Sequence, residues 1–206
     1  MIYEDYAIFT PGPVKMSEEI LAIGAKQTPY FRNSKFSDVT FACENGLLEM
    51  VNAPDGSKVI FLTASGTAGM EAAVMNLLNQ DDHALVVNGG GFGARFVDIC
   101  ATHKVPHTNF KVKNTNLTDI ESLAPGNNYT SLVVNAHETS VGNLYNLDAM
   151  GDYATKNSML YIVDAISMLV TDPLDMQQSN IDVVIASSQK GFALPPGLTM
   201  VILNPK

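Results

Sequence analysis

Lys190 is the residue in this 206-residue sequence whose surroundings best suit covalent chemistry. It follows an apolar run, residues 183–186, that is typical of a strand buried on both faces, and Pro195 and Pro196 exclude a helix soon after it. A lysine at the junction of a central strand and a loop is partly desolvated. Burial lowers its pKa and yields a neutral amine that can attack a carbonyl. The alternative is an ordinary surface lysine after a strand.

Three other positions offer groups with which such an amine could cooperate. Asp164 directly follows the apolar run 159–163, either as an active acid or as a simple strand-end cap. The turn Ser65-Gly66-Thr67 joins a strand to a helix, where free N–H groups and the helix dipole favour a phosphate. The alternative there is a tight turn with Thr67 as the N-cap. Phe92 lies in a glycine-rich loop and either presents a flat face or plugs the core.

These groups all follow strands, and ligands of open α/β sheets bind outside the carboxyl ends of the strands. Hydroxyls fall in the same region, at Thr139, Ser140 and Ser188. A lysine, a carboxylate, an anion-binding turn and an aromatic ring are the groups that pyridoxal phosphate requires. The carboxylate would keep the pyridine nitrogen protonated, so that the ring accepts electrons when the substrate Cα proton leaves. The lysine would then carry that proton between Cα and C4′.

A rival hypothesis comes from the glycine-rich loop, because Gly89, Gly91 and Ala94 fit the G-x-G-x-x-G/A dinucleotide pattern. That pattern needs an acid roughly twenty residues further on to bind the ribose. The sequence has Asn-Phe-Lys-Val-Lys at residues 109–113 instead. We therefore do not adopt the fingerprint, and a nucleotide-binding module stays as an alternative.

Strands and helices alternate along the chain and must position these groups. We predict strands at 58–62, 84–87, 105–112, 131–135, 159–163, 181–186 and 197–203, and helices at 17–24, 36–51, 72–78, 96–100, 117–123 and 147–155. This alternation predicts an α/β fold, a three-layer sandwich around a mostly parallel, doubly wound sheet. In the helix 36–51 one face carries apolar residues, namely Phe36, Val39, Cys43, Leu47 and Met50.

Composition and charge exclude several classes of function. The net charge of −9, from 12 basic and 21 acidic side chains, argues against a nucleic-acid partner. No apolar run approaches about 18 residues, and acids stand where a signal peptide would carry basic residues. We expect a cytoplasmic protein without a membrane partner or a metal site. Cys43 and Cys100 are expected to be reduced, buried and inert.

With these motifs in place, the sequence resembles the class V, fold-type I, pyridoxal-phosphate-dependent aminotransferases. The similar branch contains alanine–glyoxylate, serine–pyruvate and 2-aminoethylphosphonate–pyruvate aminotransferases. The matching segments span nearly the whole chain, at residues 10–13, 65–73, 88–95, 137–140, 163–167, 187–191 and 195–197. The resemblance implies that Lys190 forms the Schiff base, Asp164 pairs with the pyridine nitrogen and Phe92 stacks on the ring. The remaining cofactor-binding residues that it implies are Ser65, Gly66, Thr67 and Gln189 near the phosphate, and Thr139 or Ser140 near the ring O3′.

The implied activity is transfer of an amino group between a small amino acid and a small 2-oxo acid. The amino acid would resemble alanine, serine or aminoethylphosphonate, and the oxo acid would be pyruvate or glyoxylate. Cysteine desulfurases typically carry histidines where this sequence has Gln189 and Phe92, which favours transamination. The alternatives are a pyridoxal-phosphate lyase or desulfurase on the same fold, and a non-catalytic partner chain.

The resemblance also divides the chain and implies partners. Residues 1–35 are expected to form an N-terminal arm and a substrate-side loop, and residues 36–206 the large cofactor-binding domain. Relatives continue into a small C-terminal domain that supplies the arginine for the substrate carboxylate, and we expect this chain to lack it. Either the sequence is a fragment or a second chain completes it. A homodimer is expected, because sites in this family lie at a subunit interface.

Overall fold

A computed structural model describes residues 7–112 and 128–206 and shows a mixed seven-stranded sheet between helices. The predicted helix 117–123 lies outside the described residues. The strands are β1 (Lys58–Leu62), β2 (Ala84–Asn88), β3 (His107–Lys111), β4 (Ser131–Asn135), β5 (His137–Glu138), β6 (Asn143–Leu144), β7 (Leu160–Asp164), β8 (Val183–Ser187) and β9 (Thr199–Leu203). The sheet order is β1-β9-β8-β7-β4-β2-β3, and β5 pairs with β6 in a separate hairpin. The two pairings of β9 in the described sheet, with β1 and with β8, are antiparallel, and the other four pairings are parallel.

Four of the five described helices begin where the sequence supplies a capping side chain. They are α1 (Glu18–Gly24), α2 (Ser34–Met50), α3 (Gly66–Leu77), α4 (Gly91–Thr102) and α5 (Leu147–Lys156). Ser17, Asn33, Ser65 and Asn146 each accept a hydrogen bond from a first-turn N–H of α1, α2, α3 and α5 respectively. Ser65, and not Thr67, therefore caps α3. The helix α4 has Gly90 at its N-cap, which offers no side-chain bond.

Two apolar clusters cover the two faces of the sheet. One cluster joins α3 and α4 to residues such as Val86 and Ile162, and the other joins α2 and α5 to their chain neighbours Leu85 and Tyr161. This alternation follows from the period of two in a strand. The result is the predicted three-layer α/β sandwich with a mostly parallel, doubly wound sheet.

The expectation that Cys43 of α2 is buried needs correction. The helix forms as predicted, but of its apolar face only Leu47 is buried, while Val39 is 59% exposed and Cys43 is exposed. Most of this helix lies on the surface of the chain, so the apolar period of its sequence does not show that it contacts the core.

Cys100 is buried as expected, and burial raises the pKa of its thiol to about 11. Among the described helices, none is both long and apolar enough to cross a membrane.

Candidate active site

The carboxyl ends of the parallel strands meet at one cleft of about 120 Å³. Asn135 ends β4 and lies in register with Asp164, which ends β7. Lys190 follows the end of the neighbouring strand β8. The cleft is lined by Ser65, Gly66, Thr67, Met70, Phe92, Arg95, Asn135, Asp164, Ile166, Ser167, Gln189 and Lys190. Seven residues singled out from the sequence therefore come together here, from segments far apart in the chain.

Asp164 is a buried carboxylate, 1% exposed, at the floor of the cleft. Ile166 N–H donates to its Oδ1 at 2.9 Å, and Asn135 Nδ2 donates to its Oδ2 at 2.7 Å. Burial raises the pKa of the Asp164 carboxyl from 3.8 to about 6, although these two hydrogen bonds lower it. The side chain can therefore hold or release a proton near neutral pH.

Lys190 is half-buried at the same cleft, beneath the N-terminal arm. Burial lowers the pKa of its ammonium from 10.5, and the charge of Asp164 partly opposes that effect. Val14 N–H of the arm donates to the Gln189 carbonyl at 3.1 Å, which brings Gly12 against the lysine stem. Gly12 has φ +152°, and a Cβ there would collide with Lys190 Cδ. The glycine of the Pro-Gly-Pro arm thus leaves space for the lysine side chain.

The N-terminus of α3 faces the cleft and supplies donors for an anion. The N–H groups of its first turn have no intrahelical partner, and the helix dipole is positive there. A Cβ on Gly66 would lie 2.5 Å from Ile166 Cδ1, so the absence of a side chain lets the turn approach the cleft floor. Thr67 Oγ1 accepts a hydrogen bond from Arg95 Nη1 at 2.8 Å.

Gln189 and Ser188, the two residues before Lys190, make different contacts. Ser187 Oγ donates to Gln189 Oε1 at 2.5 Å, which leaves the amide N–H₂ of this cleft-lining glutamine to serve as a donor. Ser188 is buried and donates to the Pro195 carbonyl at 2.6 Å. Ser188 therefore fastens the Pro195-Pro196-Gly197 loop and does not line the cleft.

Phe92 lines the cleft from the first turn of α4 and does not plug the core. The free N–H groups at the start of α4 are bound by Glu138, a carboxylate with no exposed surface. Its Oε2 accepts from Phe92 N at 3.2 Å and from Gly93 N at 2.9 Å. An internal carboxylate thus occupies the position that a nucleotide phosphate would need, which argues against the nucleotide-binding alternative.

Thr139 and Ser140 lie beside the cleft and do not line it. Ser140 Oγ donates to Glu138 Oε1 at 2.6 Å and accepts from Gly91 N at 2.8 Å, so it belongs to the cap of α4. Thr139 Oγ1 donates to Ser167 Oγ at 2.8 Å, and Ser167 does line the cleft. Both hydroxyls are used to hold neighbouring groups, which is why neither projects into the cleft.

Sequence reasoning did not single out Asn135, Ser167 or Arg95 as site residues. Asn135 offered a usable signal, because it ends a Val-Val strand just as Asp164 ends an Ile-Val strand. Its Oδ1 is buried without a hydrogen-bond partner beside the cleft, and it can accept a bond from a ligand or from a rearranged neighbour. Ser167 and Arg95 carry no such signal, because their places depend on how the following turn and helix pack.

Comparison with known proteins gives a family match that covers most of the chain. The family model for class-V aminotransferases matches residues 24–206. A 2-aminoethylphosphonate–pyruvate transaminase of Salmonella gallinarum is 28% identical over 98% of this chain and 56% of its own length. An L-aspartate–glyoxylate aminotransferase of Paracoccus denitrificans is 27% identical over 97% of this chain and 52% of its own length. The chain thus spans about half the length of these curated relatives.

A solved structure agrees with the fold as well as with the sequence. An aspartate aminotransferase of subgroup IV from Thermus thermophilus superposes with a TM-score of 0.88 at 30% identity. The match covers 95% of this chain and 56% of that structure. The fold is therefore shared over nearly the whole chain.

Proposed function

Because the chain belongs to the class-V aminotransferases, a family of pyridoxal-phosphate enzymes, we propose that it moves an amino group between a small amino acid and a small 2-oxo acid. One observation carries this proposal. Asp164 ends β7, Lys190 follows the adjacent parallel strand β8, and both line a single cleft with the N-terminus of α3. A nucleophilic amine, a buried acid and an anion site thus converge on one small volume.

The cleft suits pyridoxal phosphate by the chemistry of its groups. The half-buried Lys190 amine suits an aldehyde, Asp164 suits a basic ring nitrogen, and the donors of Gly66 and Thr67 suit a phosphate. Phe92 offers an aromatic face for the ring. When bound, the cofactor supplies an aldehyde for amine exchange and a protonated ring that accepts the electron pair from the substrate Cα.

Asp164 would hold the proton at the ring nitrogen. The bonds from Ile166 N–H and Asn135 Nδ2 fix both carboxylate oxygens, so the acid needs no reorganisation when it pairs with the ring. Burial excludes water from this pair and strengthens it. The raised pKa of Asp164, about 6, is well matched to sharing a proton with a weak ring base.

Lys190 would accept the proton from the substrate Cα and deliver it to C4′. Burial lowers the pKa of its ammonium, which favours the neutral amine that this transfer needs, and Gly12, which has no side chain, leaves room for the lysine stem. Gln189 and Ser65 would bind or orient the phosphate end beside Thr67. Thr139 would act on the ring O3′ side through Ser167, and Ser140 through the cap of α4.

The substrate class follows from the residues near the lysine and from the named relatives. Gln189 and Phe92 stand where desulfurases typically carry histidines, which favours transamination. The named relatives use pyruvate or glyoxylate with an amino donor. We therefore propose alanine, serine or an aminoethylphosphonate-like donor, and pyruvate or glyoxylate as the acceptor.

The test of this function is a single half-reaction. Incubation of the cofactor-loaded protein with L-alanine or L-serine is expected to convert the bound aldehyde form to the amine form and to release an equal amount of oxo acid, read by absorbance and by an oxo-acid assay. Release of ammonia with the cofactor still an aldehyde would indicate a lyase. Cofactor binding without either reaction would exclude alanine and serine as donors, and the same result with 2-aminoethylphosphonate would indicate a non-catalytic partner chain.

We further propose that the chain forms a homodimer through its N-terminal elements. Large apolar side chains are exposed on the arm, α1 and α2, with Phe9 94%, Ile23 61% and Phe41 60% exposed. So many large apolar side chains exposed on successive elements favour an interface with another chain. The alternative partner is a second chain that supplies a C-terminal domain.

Sedimentation velocity tests the homodimer. We expect the unchanged chain to sediment as a dimer and Val39→Glu to shift it toward monomer, because a charge on α2 would be buried without a partner. Met75→Glu places the same kind of charge on the exposed side of α3 and should leave the dimer intact. A monomer at all concentrations of the unchanged chain would contradict the homodimer and favour a second chain.

A further inference from the structure

Arg95 lies at the cleft in contact with two groups that the proposed cofactor would need. Its Nη1 donates to Thr67 Oγ1 at 2.8 Å, and its Cζ lies 4.9 Å from the centre of the Phe92 ring. Residues 92 and 95 are one turn apart on α4, so they share a face of that helix. One guanidinium therefore connects the anion-binding turn with the aromatic residue.

We propose that Arg95 is a positioning residue for the phosphate end of the cofactor, which it serves by orienting the Thr67 hydroxyl and by adding positive charge beside it. This inference rests on the proposed function. It assigns a role to a side chain of α4 that neither the motif spacing nor the strand-end rule singled out.

The hydrogen bond to Thr67 fixes the direction of that hydroxyl. A threonine hydroxyl has one hydrogen to donate and lone pairs to accept with. When one lone pair is taken by the guanidinium, the hydrogen turns away from Arg95 and is free for an anionic oxygen. Ser65 differs, because its Oγ accepts from Ala68 N–H at 3.3 Å and caps α3.

The charge of Arg95 also suits this place. A phosphate monoester carries about −1.5 to −2 charge at pH 7. Among the residues that line the cleft in the described parts of the chain, Lys190 and Arg95 are the cationic types, and the Lys190 amine is needed for the aldehyde. Arg95 is thus the cation available to oppose the phosphate, and its forked donors suit that group.

A second reading is that Arg95 only stacks on Phe92 and stabilises α4. The two readings differ in which part of the ligand they affect. Loss of a phosphate-side cation weakens binding of pyridoxal phosphate and spares pyridoxal, which has the same ring and aldehyde without the phosphate. Loss of a ring support weakens both ligands alike.

The experiment is to measure the dissociation constants of pyridoxal phosphate and pyridoxal for the unchanged chain and for Arg95→Gln, by equilibrium dialysis. We expect Arg95→Gln to bind pyridoxal phosphate about 10-fold more weakly and pyridoxal within about 2-fold of the original value. Arg95→Lys retains the charge without the forked donors of arginine. Its dissociation constant for pyridoxal phosphate should lie between those of the unchanged chain and Arg95→Gln. Lys156→Gln makes the same charge change on the exposed end of α5 and should alter neither constant.

Equal weakening of both ligands by Arg95→Gln, or no weakening of either, would overturn the role at the phosphate end. If the unchanged chain binds pyridoxal and pyridoxal phosphate equally well, the phosphate site itself is contradicted. Absence of pyridoxal phosphate binding to the unchanged chain would contradict the proposed function and would overturn this inference with it. Circular dichroism and urea unfolding of Arg95→Gln verify that a weakened constant does not come from an unfolded chain.

Discussion

Replacing Lys190 with alanine is expected to slow the half-reaction with L-alanine by on the order of 10³-fold or more, while the chain still folds. The substitution removes both the amine that the aldehyde meets and the base that moves the Cα proton. Lys190 lies half-buried in the loop after β8 and belongs to neither apolar cluster, so its loss leaves no cavity in the core. Stopped-flow absorbance after mixing the loaded protein with L-alanine measures the rate.

Lys15→Ala is the matched control for this experiment. Lys15 lies exposed on the arm, three residues from Gly12, and its removal makes the same change of charge and side chain. We expect Lys15→Ala to keep the original rate within about 2-fold, as is usual for exposed surface positions. A Lys190→Ala protein that retains a tenth of the original rate would exclude Lys190 as the essential amine and base.

Asp164→Asn is expected to abolish most activity and yet to stabilise the cofactor-free protein at alkaline pH. The folded pKa of about 6 lies above the ordinary 3.8, so folding disfavours the ionised carboxyl. That penalty is absent below about pH 3.8, grows between about pH 3.8 and 6 and levels off at roughly 3 kcal/mol at higher pH. The amide side chain introduced by Asp164→Asn is neutral at every pH, so it does not carry this penalty.

The neighbouring amide makes this substitution tolerable. Asn135 can turn its side chain so that its unpaired Oδ1 accepts from the new amide, while the oxygen of residue 164 still accepts from Ile166 N–H. We expect the free energy of unfolding at pH 8 to rise by about 1–3 kcal/mol, and the gain to shrink toward pH 4. Urea unfolding at both values measures it, with Asp98→Asn on the exposed face of α4 as the control.

The same substitution, Asp164→Asn, is expected to reduce activity. Without a carboxylate, the ring nitrogen loses the group that keeps it protonated, and the half-reaction should slow by on the order of 10²-fold or more. An Asp164→Asn protein less stable than the original at pH 8 would contradict the penalty derived from burial. Retention of full activity would contradict the pairing with the ring.

The ends of the strands could be predicted because short runs rich in β-branched residues are typical of buried parallel strands. The runs before Asn135, Asp164 and Ser187 are of this kind, and the structure ends β4, β7 and β8 at these residues. The rule that ligands bind at the carboxyl ends of strands then predicts that Lys190 and Asp164 share one site. What brought Asn135 to Asp164 is strand register, which a single sequence does not encode locally.

The hairpin of β5 and β6 was not predicted, because two-residue strands carry no periodic signal. Its Glu138 caps α4 and accepts a hydrogen bond from the Ser140 hydroxyl, a contact that the sequence pattern does not indicate. The exposure of Cys43 was missed for a different reason. An amphipathic period shows that a helix has an apolar face, but not whether this chain or another covers it.

Borohydride reduction of the cofactor-loaded protein, followed by proteolysis and mass spectrometry, tests the central proposal most directly. The reduction fixes the carbon–nitrogen bond between the cofactor aldehyde and the lysine that bears it. We predict that the pyridoxyl group is recovered on the peptide containing Lys190. Its recovery on another lysine, or on no lysine at all, would contradict the assignment of this cleft as the active site.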